Sequence, residues 1–109
     1  MARVIAACVL GFAMAIPAAI AQVDEAAAMA LLKQSKCLSC HSIDKKKDGP
    51  SYREVAAKYK GKADAEAILT KHVTEPSMVE IDGEEEEHGA VKTRDKAKIK
   101  NLVDWILSL

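Results

Sequence analysis

The run Cys37-Leu38-Ser39-Cys40-His41 places two thiols and an imidazole within five residues, and it constrains this chain more than any other feature. A Cys-x-x-Cys-His run is the attachment signature of a c-type haem. The spacing has a chemical reason, because two thiols three positions apart can each add to one vinyl group of a porphyrin. The imidazole that follows then faces the iron. A thioredoxin-like dithiol, half of a zinc site and a chance occurrence are the alternatives.

The N-terminal residues 1–21 have the composition of a targeting segment. They have a short basic start with Arg3, continue as an apolar run and end on the small residues Ala19 and Ala21. This is the three-part pattern of a secretory signal peptide. A membrane anchor is the alternative, but a span needs about 20 uninterrupted apolar residues, and Pro17 interrupts this run. We expect cleavage after Ala21, a mature domain of residues 22–109 with no membrane span, and a periplasmic location.

Cysteine usage and size agree with a covalently held cofactor. Cys8 leaves with the signal peptide, so Cys37 and Cys40 are the cysteines of residues 22–109. A disulfide between them is conceivable in an oxidising compartment, but it leaves His41 without a role. Aromatic residues make up only 4% of the sequence, and a domain this small is near the lower limit for an unaided hydrophobic core. A buried haem would supply the missing apolar surface.

Apolar residues recur at helical spacing in four segments after the signal peptide. The predicted helices run from Asp24 to about Ser35, from Ser51 to about Tyr59, from Ala63 to about Val73 and from Thr93 to about Leu107. Asp24 and Thr93 are the expected N-caps of the first and last helices. The apolar stripe of the last helix predicts that these two terminal helices pack against each other.

The stretch 77–92 lacks both helical spacing and a visible strand pattern. It contains four consecutive glutamates, Glu84 to Glu87, followed by His88, and its turn is expected at Asp82-Gly83. We therefore predict a loop here and an all-α fold class.

Three sequence runs together resemble a known family. They are Lys36–His41, then Asp48–Tyr52 with Val55–Tyr59, and finally Leu102–Leu107. In this order they resemble the small bacterial class I cytochromes c, which are monohaem periplasmic electron carriers, and the resemblance extends from about Ala30 to Leu107. It implies about four helices around one covalently bound haem c, with the N-terminal and C-terminal helices packed together.

On the proximal side, the resemblance implies a role for each residue of the attachment run. Cys37 and Cys40 would form the thioether bonds, and His41 would bind the iron through one ring nitrogen. The Pro50 carbonyl would accept a hydrogen bond from the other nitrogen, which fixes the tautomer of the ligand.

Two further positions match the family's pattern. His72 stands where a basic side chain often reaches a haem propionate, although a histidine on a helix surface is the alternative. Trp105 resembles the aromatic residue of the family's last helix, which packs under the haem or between the terminal helices. It is therefore counted among the cofactor-binding residues, with core packing as its main expected role.

The distal ligand is where the chain departs from the family, which uses a methionine before the last helix. Met78 lies too soon after the third predicted helix, whereas His88 stands about where the family's methionine does relative to Trp105. We therefore predict ligation by His41 and His88, with Met78 as the alternative distal ligand and an open or weakly held site as a third outcome. A second imidazole in place of a thioether lowers the reduction potential.

Charge and chemistry favour an electron carrier over an enzyme. The formal net charge is zero, but the segment 75–87 holds seven acids and no base, which could orient a redox partner protein. Nucleic acid is not an expected partner of an exported, near-neutral chain. A haem-based sensor of NO or CO, in which His88 is displaced, is the alternative function.

Overall fold

The computed structural model describes residues 22–109, so the predicted signal peptide lies outside the described residues. These residues form four helices, a 3₁₀ turn and one antiparallel hairpin. The elements are α1 (Glu25–Gln34), the 3₁₀ turn (Cys37–Ser39), α2 (Tyr52–Tyr59), α3 (Ala65–Thr74), β1 (Ser77–Ile81), β2 (Glu84–His88) and α4 (Lys96–Ser108). Within this part of the chain, none of the helices has the length and apolar character needed to cross a membrane.

Polar side chains define where three of the helices begin. Asp24 caps α1 by accepting a hydrogen bond from the Ala27 N–H, and Ser51 caps α2 in a reciprocal capping box with Glu54. The predicted cap of the last helix was wrong. Asp95, not Thr93, caps α4, and its carboxylate accepts hydrogen bonds from the first N–H groups of that helix. A negative charge at this end also interacts favourably with the helix dipole. The Thr93 hydroxyl instead accepts a hydrogen bond from the Asp95 N–H.

The terminal helices α1 and α4 pack against each other, as predicted. Their contact is formed by the most deeply buried side chains of the chain, including Leu32, Leu102 and Val103. Two hydrogen bonds also join the helices at the start of α1. The Asn101 side-chain amide accepts one from the Asp24 N–H and donates one to the Asp24 carbonyl, each at 2.8 Å. The start of α1 is thereby fixed to the middle of α4.

The stretch predicted as a loop is instead the β1–β2 hairpin. Its turn is at Asp82-Gly83, as expected, and both residues have positive φ angles, 52° and 83°. Such a two-residue turn matches the twist of paired strands, and Asp-Gly is one of its favoured sequences. The strand signal was hidden because glutamates, which are depleted in strands, fill most of β2.

The hairpin has an inner and an outer face. In the register of the pair, Val79 lies opposite Glu86 and Ser77 opposite His88, and residues directly opposite share a face. Val79 and His88 are half-buried. After β2, the Val91 N–H donates to the Val73 carbonyl at 2.8 Å. This bond brings the base of the hairpin, and therefore His88, next to the end of α3.

Truncating the core contact of α4 should destabilise the whole domain. Leu102→Ala removes a side chain with 0% exposure, and we expect it to lower the free energy of unfolding by about 2–5 kcal/mol. Chemical denaturation of the haem-loaded protein measures this. Leu107→Ala in the same helix, at a half-exposed position, is the control and should cost clearly less. Equal losses at both positions would contradict this description of the core.

Candidate haem site

A cavity of about 780 Å³ lies between the helices and the hairpin, within the size range of small-molecule sites. All four helices and both strands contribute to its wall. Six of the residues singled out from the sequence line it or its mouth, namely Cys37, Cys40, His41, Pro50, His72 and His88. Trp105 and Met78 are not among the lining residues. The cavity therefore collects the predicted cofactor-binding residues in one place.

The attachment run is held in a compact turn after α1. Lys36 adopts left-handed backbone with φ of 59°, which ends the helix in the way a glycine often does. The His41 N–H then donates to the Cys37 carbonyl at 3.0 Å. Because of this turn, the Cys37 and Cys40 thiols, both free, and the His41 imidazole all border the same cavity.

Within residues 22–109, no group of three or more metal-binding side chains has the arrangement of a metal site.

A hydrogen bond orients His41. Its Nδ1 lies 2.7 Å from the Pro50 carbonyl oxygen, and because a carbonyl only accepts, the Nδ1–H must be the donor. Nε2 is then the unprotonated nitrogen, which is the form of the ring that binds a metal ion. This is the contact that the family resemblance implies for these two residues.

Gly49 allows this approach, although its sequence position alone indicated no such role. A Cβ atom at position 49 would lie 2.6 Å from His41 Cε1 and 2.9 Å from His41 Nδ1, both too close for a real contact. The Gly49 N–H also donates to the Cys40 carbonyl at 2.8 Å. Glycine at this position therefore lets the loop before α2 close over the imidazole.

Tyr52 is a further site residue whose role the sequence analysis missed. Its ring stacks on that of His41 with centroids 5.1 Å apart and planes 28° apart, and it meets the buried Trp105 ring edge-on at 5.8 Å. Burial raises the pKa of the Tyr52 hydroxyl, and the hydrogen-bonded Cys37 sulfur contributes to the same direction. Trp105, 3% exposed, thus supports the proximal side through Tyr52 while packing in the core as expected.

His88 faces His41 across the cavity. The two ring centroids are 6.0 Å apart and the planes cross at 72°. Two imidazoles on opposite sides of one ion, with metal–nitrogen bonds of about 2 Å, would have ring centres about 6 Å apart. Burial, with smaller contributions from His72 and His41, lowers the pKa of His88, which favours the neutral ring that a metal requires. The residues present therefore fit a haem iron between these two rings.

The His88 Nδ1 atom is the one buried side-chain nitrogen or oxygen of the described residues that has no hydrogen-bond partner. Such a group in a native fold calls for an explanation. His72 is its nearest aromatic neighbour, with ring centroids 4.3 Å apart and planes tilted by 40°. Burial lowers the pKa of His72 as well.

The two candidate distal residues are in very different environments. Met78 lies on the outer face of the hairpin, where its neighbour across the pair is Glu87. Its side chain is 60% exposed. His88 is half-buried and borders the cavity, so the geometry favours the histidine.

Comparison with known proteins identifies the family of this chain. The sequence profile of the family described as "Cytochrome c" matches residues 25–109. The chain belongs to the cytochrome c family. Haem c, bound covalently, is the cofactor of this family, and the family's function is electron transport.

Individual relatives place it among the small class I cytochromes. Cytochrome c-551 of Stutzerimonas stutzeri is 39% identical over 92% of this chain and 89% of its own length. Among solved structures, the class 1 cytochrome MtoD of Sideroxydans lithotrophicus ES-1 has a TM-score of 0.75 and 53% identity over 80% of this chain and 97% of that one. Cytochrome c552 of Nitrosomonas europaea has a TM-score of 0.58 and 30% identity over 73% and 96%.

A methyl group at position 49 should disturb the proximal histidine. We expect Gly49→Ala to lower the free energy of unfolding of the haem-loaded protein by about 1–3 kcal/mol, because the added Cβ overlaps the His41 ring. Denaturation measures the loss, and NMR of the ferrous protein should show shifted His41 ring resonances. Asp48→Ala, an exposed position of the same turn, is the matched control. If the two variants behave alike, the close approach at Gly49 has no energetic role.

Proposed function

We propose that this cytochrome is an exported, periplasmic carrier of single electrons whose haem c is attached through Cys37 and Cys40 and ligated by His41 and His88. Haem c supplies one-electron chemistry, since its iron alternates between the ferric and ferrous states. The observation that carries the proposal is the pair of imidazoles, with centroids 6.0 Å apart, facing each other across a cavity that both thiols border.

On the proximal side, the chain holds His41 in a single orientation and tautomer. Pro50 fixes the protonated nitrogen through its carbonyl, and Tyr52 restrains the ring by stacking on it. Outer contacts of this kind orient a metal ligand and raise its basicity. A ligand that does not move between redox states keeps the reorganisation of the site small, which suits electron transfer.

On the distal side, we propose His88 in place of the methionine that the family uses. A histidine stabilises the ferric form relative to a thioether, so the reduction potential should lie below that of relatives with histidine and methionine ligands. If His41 and His88 both held the iron, small ligands and substrates would have no open site on it. This supports a carrier and not an enzyme.

The test of the distal ligand is substitution of His88. We expect His88→Ala to convert the ferric visible spectrum from low-spin to high-spin, because one axial ligand is lost, while the haem stays covalently attached. Met78→Leu is the control on the other candidate and should leave the spectrum unchanged. The opposite pattern, a change with Met78→Leu and none with His88→Ala, would overturn the assignment.

Binding of CO tests the alternative function. A sensor of NO or CO needs a distal ligand that leaves readily, so its ferrous form would take up CO rapidly. For a carrier ligated by His41 and His88, we expect wild-type protein to bind CO slowly or not at all. The His88→Ala variant should bind it readily.

Electrons enter and leave through redox partner proteins, and the cavity mouth has a charge pattern that could orient them. Glu80, Glu86 and Glu87 border it on the hairpin side, and lysines, among them Lys46 and Lys58, border it on the other. We propose that the hairpin side docks against a basic patch of the partner. Complementary charge of this kind mainly raises the association rate.

Electron exchange with small charged complexes tests this pattern. We expect Glu86→Gln combined with Glu87→Gln to slow the oxidation of the ferrous protein by a cationic ruthenium ammine several-fold at low ionic strength. The difference should vanish when salt shortens the Debye length to about 3 Å. Glu25→Gln in α1, away from the hairpin, is the matched control. An oxidation rate that changes neither with the substitutions nor with the salt concentration would contradict an electrostatic role for the hairpin.

A further inference from the structure

The ring of His72 packs on the ring of His88, and this contact has no place in the family-based expectation for His72. The centroids are 4.3 Å apart and the planes are tilted by 40°. We propose that His72 is a positioning residue that holds the His88 imidazole crossed relative to that of His41. The inference rests on the proposed ligation by His88.

The first step of the argument is that His88 lacks the usual means of orientation. A ligating histidine normally donates its second ring N–H to a carbonyl or carboxylate, as His41 does to Pro50. The Nδ1 atom of His88 is buried and has no such partner, although four glutamates directly precede it in the chain. The nearest aromatic contact that can restrain this ring is therefore His72, with centroids 4.3 Å apart.

The second step concerns the difference in rigidity between the two elements. His88 is the last residue of a hairpin whose other β2 residues, Glu84 to Glu87, are all exposed. His72 lies in the last turn of α3, a helix anchored by the buried Ala65 and Leu69. Segments with few buried contacts open more easily than packed ones. A ring mounted on α3 can therefore restrain a ring mounted on the hairpin.

The third step is that the two elements are joined at this point. The Val91 N–H donates to the Val73 carbonyl, one residue after His72. Ser77 pairs with His88 at the open end of the hairpin. These two links hold the base of the hairpin beside the end of α3, where His72 and His88 meet.

The consequence is electronic. The planes of His41 and His88 cross at 72°, so each imidazole would overlap with a different one of the two iron d orbitals that accept π interaction. The two orbitals are then nearly equal in energy, and the low-spin ferric signal in electron paramagnetic resonance is strongly anisotropic, with a high low-field g value. Parallel planes separate the two orbitals and give a less anisotropic signal.

The experiment compares three variants of the haem-loaded, full-length protein by paramagnetic resonance of the ferric form. His72→Leu keeps a similar volume but removes the flat ring, and we expect a lower or broadened low-field g value with the haem still low-spin. His72→Phe keeps the flat ring and removes every hydrogen bond and charge, and we expect the wild-type signal. Lys71→Leu, the exposed neighbour on α3, is the matched control and should also give the wild-type signal.

Each result decides between specific roles. A wild-type signal from His72→Leu would overturn the proposal. Equal changes in His72→Leu and His72→Phe would also overturn it, because they would assign His72 a polar role such as a contact with a haem propionate. If His72→Leu becomes high-spin while His72→Phe does not, the ring contact is confirmed as the restraint on the distal ligand. Failure of the proposed ligation itself is seen separately, as a His88→Ala spectrum identical to wild type.

Discussion

The hydrogen bond from His41 Nδ1 to the Pro50 carbonyl connects the two parts of the chain on which the site depends. It joins the attachment turn to the loop before α2, and it selects the ring nitrogen that faces the cavity. The bond forms only because Gly49 has no side chain, since a Cβ atom there would overlap the ring. Tyr52 then stacks on the oriented imidazole and transmits its position to Trp105 and the α1–α4 core. The candidate haem site is in this way connected directly to the α1–α4 core.

The two sides of the cavity are built according to different principles. On the proximal side, a hydrogen bond to Pro50 and ring stacking on the buried Tyr52 fix the half-buried His41. The distal side is an acidic hairpin that carries one half-buried histidine at its base. Because the proximal framework orients one ligand by itself, the distal segment can vary in length, charge and ligand type while the helices keep their packing.

Sequence reasoning succeeded where a local pattern has a single structural meaning. The Cys37–His41 run, the α1–α4 contact and the Asp82-Gly83 turn all belong to this class. The hairpin was missed because strand propensity is a weak signal in a run of glutamates, although the correctly predicted turn was itself evidence for two paired strands. Thr93 was predicted as the cap of the last helix, whereas the cap is Asp95, two residues later. Both residue types are good caps, so only the backbone conformation decides between them. Gly49, Tyr52 and His72 make contacts with residues that are distant in the chain, or contacts that depend on differences smaller than one side chain. The spacing of residue types in a sequence does not predict such contacts.

The proposed ligation by His88, at the base of a hairpin, has a consequence for how the protein unfolds. Two isolated strands are marginally stable in water, and β2 contributes only one half-buried residue to the cavity wall. We therefore expect the hairpin to detach at a lower free energy than is needed to separate α1 from α4. Under mild denaturant, the visible haem spectrum should change in a first phase while the helical circular dichroism persists. The haem spectrum then measures the opening of the hairpin and not the global unfolding of the domain.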